Sequence, residues 1–305
     1  MQSILHPAGP AAEHIAGLWW VLLGACAAIY VVFAAAALYA TMHRGARPRA
    51  TDAASELRSV LLGGALLPAI IVLCLFGFTL ATLRALAPHA GQPRVTIDVI
   101  GQRWWWEVRY TGAQVITANE IHIPAGEPVA VRLHSDNVIH SFWVPALSGK
   151  MDLVPGHTNS LRLHADRPGT YRGQCAEYCG LQHAHMAFLV VAQSRAEFDA
   201  WLARQQQPAP VPADPSLAVG QAAFRQHCGK CHTVRGTDAR GTDGPDLTHV
   251  ATRRTLAAGT LPNTSAHLGS WIARAQSIKP GSLMPDMALE PTELQHIHAY
   301  LMSLR

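Results

Sequence analysis

Two long apolar runs without a charged residue dominate the first ninety positions, at residues 18–39 and 60–83. Each run is longer than the ~20 residues that a helix needs to cross a hydrocarbon layer about 30 Å thick. The pattern predicts a transmembrane hairpin over residues 1–90, with spans at about 18–40 and 60–83. The first run could instead belong to a signal peptide. Signal-peptide cores are about 7–15 residues long and follow a basic segment, but residues 1–17 contain no Lys or Arg.

The charges that flank the two runs predict the orientation of the hairpin. The connecting loop carries Arg44, Arg47, Arg49 and Arg58, whereas the segment before the first run carries no Lys or Arg. Loops rich in these residues stay on the cytoplasmic side. We therefore expect a protein of the bacterial inner (cell) membrane, with two spans and with both termini on the periplasmic, extracytoplasmic side.

Beyond residue 90 the pattern changes to short alternating stretches. Runs such as VTIDVIGQRWWWEVRY and EIHIPAGEPVAVRLHS are rich in β-branched and aromatic residues, and Pro and Gly turns separate them. This pattern is typical of an all-β sandwich, which we predict for residues 91–203. Ser194 with Glu197 three residues later is a capping-box pattern, and it predicts a helix at the end of this domain.

A proline-rich stretch separates the predicted sandwich from the C-terminal part. Residues 204–215 include QQQPAPVPADP, a composition that predicts a semi-rigid, extended linker. Residues 216–305 begin with a helical GQAAFRQHC and end with TELQHIHAYLMSLR, in which Leu294, Ile297 and Leu301 recur at helical spacing. The predicted fold is therefore multi-domain: a two-helix transmembrane hairpin, an all-β sandwich and an all-α domain.

The C-terminal domain contains the sequence CGKCH at Cys228, Cys231 and His232. C-x-x-C-H is the attachment signal for c-type haem. Two thiols about one helical turn apart can reach the two vinyl groups of the porphyrin, and the adjacent histidine can bind the iron. The alternatives are a disulfide, a thioredoxin-like redox pair and half of a zinc site, although zinc would need two further ligands with their own spacing.

The second axial ligand of such a haem is expected downstream, where KPGSLMPDM offers Met284 and Met287. A thioether opposite a histidine raises the reduction potential, which suits an electron carrier. This stretch resembles the small class I cytochrome c domains, in which a Met directly before Pro is the ligand. That resemblance favours Met284, and it implies that Pro245 in GPDL packs near His232.

A second cluster, RGQCAEYCGLQHAHM, holds Cys175, Cys179, His183 and Met186. Thiolate, imidazole and thioether groups form a soft ligand set that suits copper. One thiolate and two imidazoles make a mononuclear copper site, whereas two thiolates and a second histidine can bridge two coppers. His140, in the strand-like NVIHSFWVP, is the candidate for that histidine. A disulfide between the two cysteines is the structural alternative.

The pattern C-x-E-x-C-x-x-x-H-x-x-M, with HSFWVP upstream, resembles subunit II of the haem-copper respiratory oxidases. The similarity runs through the two-span hairpin, GQRWWWEVRY and SGKMDLVPG, and covers about residues 15–200. It implies that the sandwich is a cupredoxin domain with a dinuclear copper centre, CuA. The ligands implied by the resemblance are His140, Cys175, Cys179, His183, Met186 and the backbone carbonyl of Glu177.

The same resemblance implies roles for three further side chains. Glu177 would help to bind a magnesium ion at the boundary with the catalytic subunit. Trp104, which would share one strand face with Trp106, would lie where cytochrome c transfers its electron. Glu56 would lie at the cytoplasmic mouth of a proton channel, although no tryptophan follows it and GG interrupts the start of the second run. Packing for Trp104 and a solvated loop charge for Glu56 are the alternatives.

A copper domain and a haem domain on one tethered chain indicate an electron relay. The resemblance implies subunit II of a cytochrome-c oxidase, fused to its own cytochrome c. Its partners would be the haem-copper catalytic subunit I, other oxidase subunits, and a donor such as cytochrome c or an upstream respiratory complex. Oxygen reduction to water and proton pumping would take place in the catalytic subunit, so no residue of this chain is predicted to be catalytic.

Three other functions compete with this interpretation. A quinol oxidase subunit would share the hairpin and sandwich but would lack the copper ligands. A CuA-containing subunit of a nitric oxide reductase would use similar parts for another reaction, and a membrane-anchored electron-transfer protein would need no oxidase partner. The net charge of +4 over 305 residues, without a basic stripe, gives no ground for a nucleic-acid partner.

Overall fold

The computed structural model of the chain describes residues 3–43, 52–86 and 93–305. It divides into two compact units, one of Ala11–His89 and the other of Met1–Pro10 together with Ala90–Arg305. Arg44, Arg47 and Arg49, on which the predicted orientation partly rests, lie outside the described residues.

The smaller unit consists of the two predicted apolar helical segments. Helix α1 spans Pro10–Met42, and α2 (Ala53–Val60) continues through a π-helical turn at Leu61–Leu66 into α3 (Leu67–Leu86). Their apolar side chains are mostly exposed, as in helices that contact lipid rather than a protein core. By length and composition, both segments could cross a membrane. The π-helical turn contains the GG pair that interrupts the second run.

The larger unit begins with a β-sandwich of two five-stranded sheets, which confirms the predicted all-β part. In the first sheet the order is β3-β2-β1-β5-β8, with the strands β1 (Thr96–Gln102), β2 (Trp105–Tyr110), β3 (Val115–Ala118), β5 (Val129–Ser135) and β8 (Asn159–Leu163). In the second the order is β4-β10-β9-β6-β7, with β4 (Glu120–Pro124), β6 (His140–Trp143), β7 (Met151–Leu153), β9 (Gly169–Cys175) and β10 (Ala187–Gln193).

Aromatic side chains from both sheets form the centre of the sandwich. Trp106 of β2 lies 5.1 Å from Phe188 of β10, and Phe188 stacks on Phe142 of β6 at 4.6 Å between ring centroids. All three side chains are fully buried. The alternating pattern of the sequence thus sends every second residue into the layer between the sheets, and Trp106 is a packing residue.

The residues before α1 attach to the sandwich. The Ala8 N–H donates to the Ala146 carbonyl at 2.7 Å, and the Ala8 carbonyl accepts the Asp166 N–H at 2.9 Å. The backbone at this point therefore bonds to two separate loops of the β-sandwich.

Helix α4 (Arg195–Gln206) closes the sandwich, and its N-terminus has the predicted capping box between Ser194 and Glu197. Trp201 packs on Tyr110 at 5.2 Å between centroids. The helix continues to Gln206, into the stretch predicted as linker. Ala209 in that stretch is buried and donates its N–H to the Arg235 carbonyl at 2.9 Å, so the proline-rich stretch packs on the C-terminal domain.

The C-terminal domain is helical, as predicted, and contains one short hairpin. Its elements are α5 (Pro215–His227), β11 (Thr255–Leu256), β12 (Leu261–Pro262), α6 (Ser265–Ala273), α7 (Ala275–Ile278) and α8 (Pro291–Ser303). Phe224 of α5 meets Tyr300 of α8 at 5.8 Å between centroids. The two helices touch closely at Gly220, where a Cβ atom would overlap the backbone carbonyl of His296.

We expect Gly220→Ala to destabilise the C-terminal domain by about 1–3 kcal/mol, because overpacking a close helix crossing costs more than helix propensity returns. Gly269→Ala in α6 is the matched control, since its Cβ would meet only the His298 ring, at 3.7 Å. Thermal unfolding followed by far-ultraviolet circular dichroism measures both. Equal melting temperatures for the two variants would contradict this account of the α5–α8 crossing.

Candidate metal centres

Two neighbouring strands of the second sheet place the first pair of candidate ligands. Cys175 is the last residue of β9 and His140 is the first residue of β6, and these strands pair antiparallel. The facing sheet leaves room for the imidazole at Gly101, where a Cβ would lie 2.6 Å from the His140 ring. Both ligands are buried between the sheets.

The loop between β9 and β10 brings the other ligands to the same place. It contains Cys179 and a short 3₁₀ turn at His183–His185, and it returns to the sheet at Met186. The Cys175 N–H donates to the Met186 carbonyl at 2.9 Å, which joins the two ends of the loop. Cys179 and Met186 are buried, and His183 is partly exposed.

The donor atoms form one compact cluster. Cys175 Sγ and Cys179 Sγ are 3.8 Å apart and are free thiols, not a disulfide. His140 Nδ1 lies 3.8 Å from Cys175 Sγ, and His183 Nδ1 lies 3.6 Å from Cys179 Sγ. Met186 Sδ is 3.8 Å from Cys179 Sγ. The thiols and His140 alone could hold a metal ion, and the soft donor set fits copper.

The two thiols of the cluster have very different pKa values. The hydrogen bond from Cys179 lowers the pKa of Cys175 to about 3, against the opposing effect of burial. The same interaction, together with burial, raises the pKa of Cys179. Deprotonating one thiol thus makes it harder to deprotonate the other, because two like charges 3.8 Å apart repel each other. A cation between the sulfurs would remove this conflict, which is a second sign that the pocket fits a metal.

Asn137 fixes the ring of His140, a contact that sequence reasoning missed. His140 Nε2 lies 3.2 Å from Asn137 Oδ1. An N–H at Nε2 donates to this oxygen and leaves the lone pair of Nδ1 facing the thiols. The Glu177 carbonyl lies 3.2 Å from Cys175 Sγ, and the Glu177 side chain is partly exposed. Its role as a copper ligand stays a prediction.

A cavity of about 650 Å³ surrounds the CGKCH sequence, and residues of both the C-terminal domain and the β-sandwich line it. The cavity is lined by Cys228, Cys231, His232, Met284, Met287 and apolar side chains of α5, α6 and α8. The ring of His232 is oriented by its Nδ1–H, which donates to the Pro245 carbonyl at 2.8 Å. Its Nε2 is therefore left with a free lone pair for a metal. Pro245 lies beside His232, as the resemblance implied.

The buried guanidinium of Arg253 is a further sign that this cavity fits a haem. Its guanidinium lines the cavity and donates to the Asp246 carbonyl, while its Nε has no partner among the described residues. Burial lowers the pKa of Arg253, as it does for any cation removed from water. A buried cation with an unused N–H fits a carboxylate, and haem carries two propionate groups. Both methionines line the cavity, so the choice of Met284 over Met287 stays a prediction.

Trp104 connects the two candidate centres. Its indole Nε1–H donates to the Cys179 carbonyl at 2.9 Å, and its ring also lines the haem cavity. The prediction that Trp104 and Trp106 share one strand face is wrong. Strand β2 begins at Trp105, and Trp104 belongs to the two-residue connection after β1. This connection turns the indole out of the sheet and toward the 175–186 loop.

The remaining predicted site residue lies in the smaller unit. Glu56 is in the first turn of α2 and is exposed. Its own surroundings provide no test of the predicted proton-channel role, which stays a prediction. The magnesium-binding role of Glu177 likewise stays a prediction.

Two family patterns match the chain. The pattern described as "Cytochrome C oxidase subunit II, periplasmic domain" matches residues 113–193, and that described as "Cytochrome c" matches residues 217–305. The chain therefore joins a cytochrome c oxidase subunit II periplasmic domain to a cytochrome c domain. The copper cluster lies in the first of these matches and the haem cavity mainly in the second.

Known subunit II proteins share much of the chain. "Cytochrome c oxidase subunit 2" of Alkalihalophilus pseudofirmus is 40% identical over 222 residues, 72% of this chain and 64% of that protein. "Quinol oxidase subunit 2" of Bacillus cereus is 32% identical over 176 residues, 53% of this chain and 60% of that protein. The chain thus spans less than two thirds of the length of either relative. The crystal structure of the CoxB periplasmic domain of Bradyrhizobium japonicum is 26% identical, covers 39% of this chain and 97% of that one, and has a TM-score of 0.37.

We expect Gly101→Ala to lower the copper affinity of the subunit II domain by about 10- to 100-fold, because the new methyl group displaces the His140 ring. The matched control is Gly112→Ala, whose Cβ would meet nothing within 4 Å. Competition with a copper chelator, followed by metal analysis, measures the affinity. Tight copper binding by both variants would mean that His140 has no part in the site.

Proposed function

We propose that this chain carries electrons from a donor, through a covalent haem and a dinuclear CuA centre, to the haem-copper catalytic subunit of a terminal oxidase. The observation that carries the proposal is the position of Trp104. One side of this residue lines the haem cavity, and its indole bonds to the carbonyl of Cys179. An oxidase subunit that binds two electron carriers needs such a connection between them.

The copper ligands in this proposal are His140, Cys175, Cys179, His183, Met186 and the carbonyl of Glu177. When bound, two coppers that share two thiolates spread one added electron over both ions. The chain supports this use by burying four of the side chains that carry donor atoms, His140, Cys175, Cys179 and Met186. Such a pocket changes little on reduction, because packed side chains and the Cys175–Met186 backbone bond hold the ligands in place. The pair of thiols also favours a cytochrome c oxidase over a quinol oxidase, for which we expect no copper ligands.

In the cytochrome c domain, Cys228 and Cys231 would attach the haem, and His232 and Met284 would bind its iron. When bound, the haem accepts and passes on single electrons. Burial raises the pKa of Cys228 to about 11. Arg253 would hold a haem propionate within the cavity.

The segment before α1 supports the proposed membrane arrangement. Ala8 bonds to the same β-sandwich that carries the copper ligands, which supports both termini lying on the periplasmic side. The apolar hairpin would pack against the catalytic subunit I and other oxidase subunits. Glu177 would bind magnesium at that boundary, and Glu56 would lie near the mouth of a proton channel. A cytochrome c or an upstream respiratory complex would be the donor.

Metal analysis and gas consumption test this function. We expect the purified complex to contain two coppers and one covalent haem in this chain, and to consume oxygen with reduced cytochrome c as the donor. Cys175→Ala should abolish the near-infrared absorption of the copper pair and stop oxygen consumption, with the covalent haem retained. Arg225→Met, a change of an exposed residue in α5, is the control.

Consumption of nitric oxide instead of oxygen would contradict the oxidase assignment in favour of a nitric oxide reductase. A purified chain that binds metals but copurifies with no catalytic subunit would instead support a free-standing electron-transfer protein. A haem-free or single-copper product would contradict the proposed relay altogether.

The axial ligand is tested separately. We expect Met284→Leu to lower the reduction potential of the haem, because a thioether ligand raises it. Met287→Leu is the matched control and should leave the potential unchanged. Redox titration followed in the visible spectrum measures both variants. A lowered potential in Met287→Leu alone would assign the ligand to Met287.

A further inference from the structure

Lys279, which the sequence did not single out, is a buried cation between the cytochrome c domain and the copper domain. It follows α7, and only 3% of its surface is exposed. Its ammonium donates to the carbonyls of Trp104 at 2.7 Å, His185 at 2.8 Å and Ala257 at 3.1 Å. An ammonium has three N–H donors, so every one of them is used.

The three acceptors of Lys279 belong to both domains. Trp104 and His185 are part of the copper domain, and Ala257 is in the turn between β11 and β12 of the cytochrome c domain. Burial lowers the pKa of Lys279 to about 7, and the nearby Cys179 acts in the opposite direction. A buried ammonium is tolerated only where hydrogen bonds replace its water. Two of the three hydrogen bonds of Lys279, those to Trp104 and His185, form only while the two domains are in contact.

Glu120 of the copper domain makes a similar contact in the opposite direction, to the backbone of the cytochrome c domain. This residue begins β4 of the copper domain, and 4% of its surface is exposed. Its Oε1 accepts the backbone N–H of Arg254 and, at 3.3 Å, that of Thr255. Its other oxygen lies 3.7 Å from the Nε2 of His122. A carboxylate of the copper domain thus binds the backbone of the cytochrome c domain, while a cation of the cytochrome c domain binds the backbone of the copper domain.

Neutral contacts between these two charged groups continue the interface. The Ala187 N–H donates to the Ala258 carbonyl at 2.9 Å, and the Gln182 amide donates to the Pro280 carbonyl at 2.9 Å. Gly281, with a φ of +78°, brings the backbone so close that a Cβ would lie 3.0 Å from Leu181. The loop that holds the copper ligands is therefore also the surface on which the cytochrome c domain rests.

We propose that Lys279 and Glu120 are positioning residues, which hold the cytochrome c domain on the copper domain so that the haem faces Trp104. This inference rests on the proposed function, because it assumes that both carriers are bound. Lys279 is suited to this role by its place in the chain. It bonds to the backbone of Trp104 and lies five residues before Met284 on the segment that lines the haem cavity.

The burial of Trp104 determines which electron donor can reach it. Its exposed fraction is only 9%, because the backbone at Gly180 and Gly281 lies against its ring. The donor that uses Trp104 is therefore the cytochrome c domain of the same chain. An external donor delivers its electron to the haem and does not reach Trp104 directly.

Time-resolved reduction of the whole oxidase complex tests this proposal. A photoactivated ruthenium reductant delivers one electron to the haem, and visible and near-infrared absorption follow its transfer to copper. We expect Lys279→Met to slow transfer from haem to copper by about tenfold or more, because loss of one partner of a buried charged hydrogen bond weakens an interface at least that much. Arg225→Met removes an exposed cation of the same domain and should transfer at the wild-type rate.

Several readouts separate positioning from a general loss of structure. Haem and copper content and the rate of haem reduction should stay unchanged in Lys279→Met. If haem-to-copper electron transfer takes place in the wild type and is equally fast in Lys279→Met, the positioning role is overturned and the proposed function remains. Absence of haem-to-copper transfer in the wild type would instead overturn the proposed function.

Glu120→Gln provides an independent test if Lys279→Met does not assemble. The amide keeps the shape of the side chain but loses its charge. We expect slower haem-to-copper transfer, and faster hydrogen exchange at the backbone amides of Arg254 and Thr255, in the full complex. Unchanged exchange at both amides together with unchanged transfer would overturn the proposal.

Discussion

The structure depends on holding two thiol groups 3.8 Å apart in a buried loop. Like charges at that distance repel each other, and an unpaired charge in a dry pocket is unfavourable. A cation between the sulfurs would remove this conflict, and the protein surrounds them with imidazole and thioether groups and joins the loop ends through the Cys175–Met186 backbone bond. Such a pocket fits a soft cation, and the β-strands of the larger unit hold this loop in place.

The 175–186 loop has two faces with different uses. Its inner face presents Cys179, His183 and Met186 to the cluster. Its outer face presents the Gln182 side chain and the His185 carbonyl to the cytochrome c domain. Residues that looked like spacers between ligands in the sequence are therefore interface residues. The spacing has to satisfy both faces, because a changed loop would shift the ligands and the docking surface together.

The fold class could be predicted, and most candidate ligands of both centres could be named, because local spacing encodes them. C-x-x-C-H and the Cys175–Met186 pattern place reactive groups within a few residues of one another. Long-range contacts have no such signature. Lys279 is a single lysine in a short segment before Met284, and only the tertiary structure shows its carbonyl partners 175 and 94 residues away in sequence. Asn137, Arg253 and Glu120 were missed for the same reason.

The treatment of the tryptophan run illustrates a second limit. Three consecutive aromatic residues were predicted to continue one strand, but the strand begins at Trp105. Alternation describes which face a strand residue occupies, and it cannot locate the boundary where a turn redirects a side chain. The redirected residue, Trp104, bonds to the Cys179 carbonyl and also lines the haem cavity, so the error concerned a residue that lies between the two candidate centres.

The packed proline-rich stretch has a kinetic consequence for the proposed relay. Because Ala209 binds the Arg235 carbonyl, the chain that connects the two domains is short and ordered and cannot let them diffuse apart freely. The local concentration of the haem carrier near its acceptor is then set by covalent connection. Electron supply to copper would follow first-order kinetics, insensitive to dilution, while collision with the outside donor would remain the only bimolecular step.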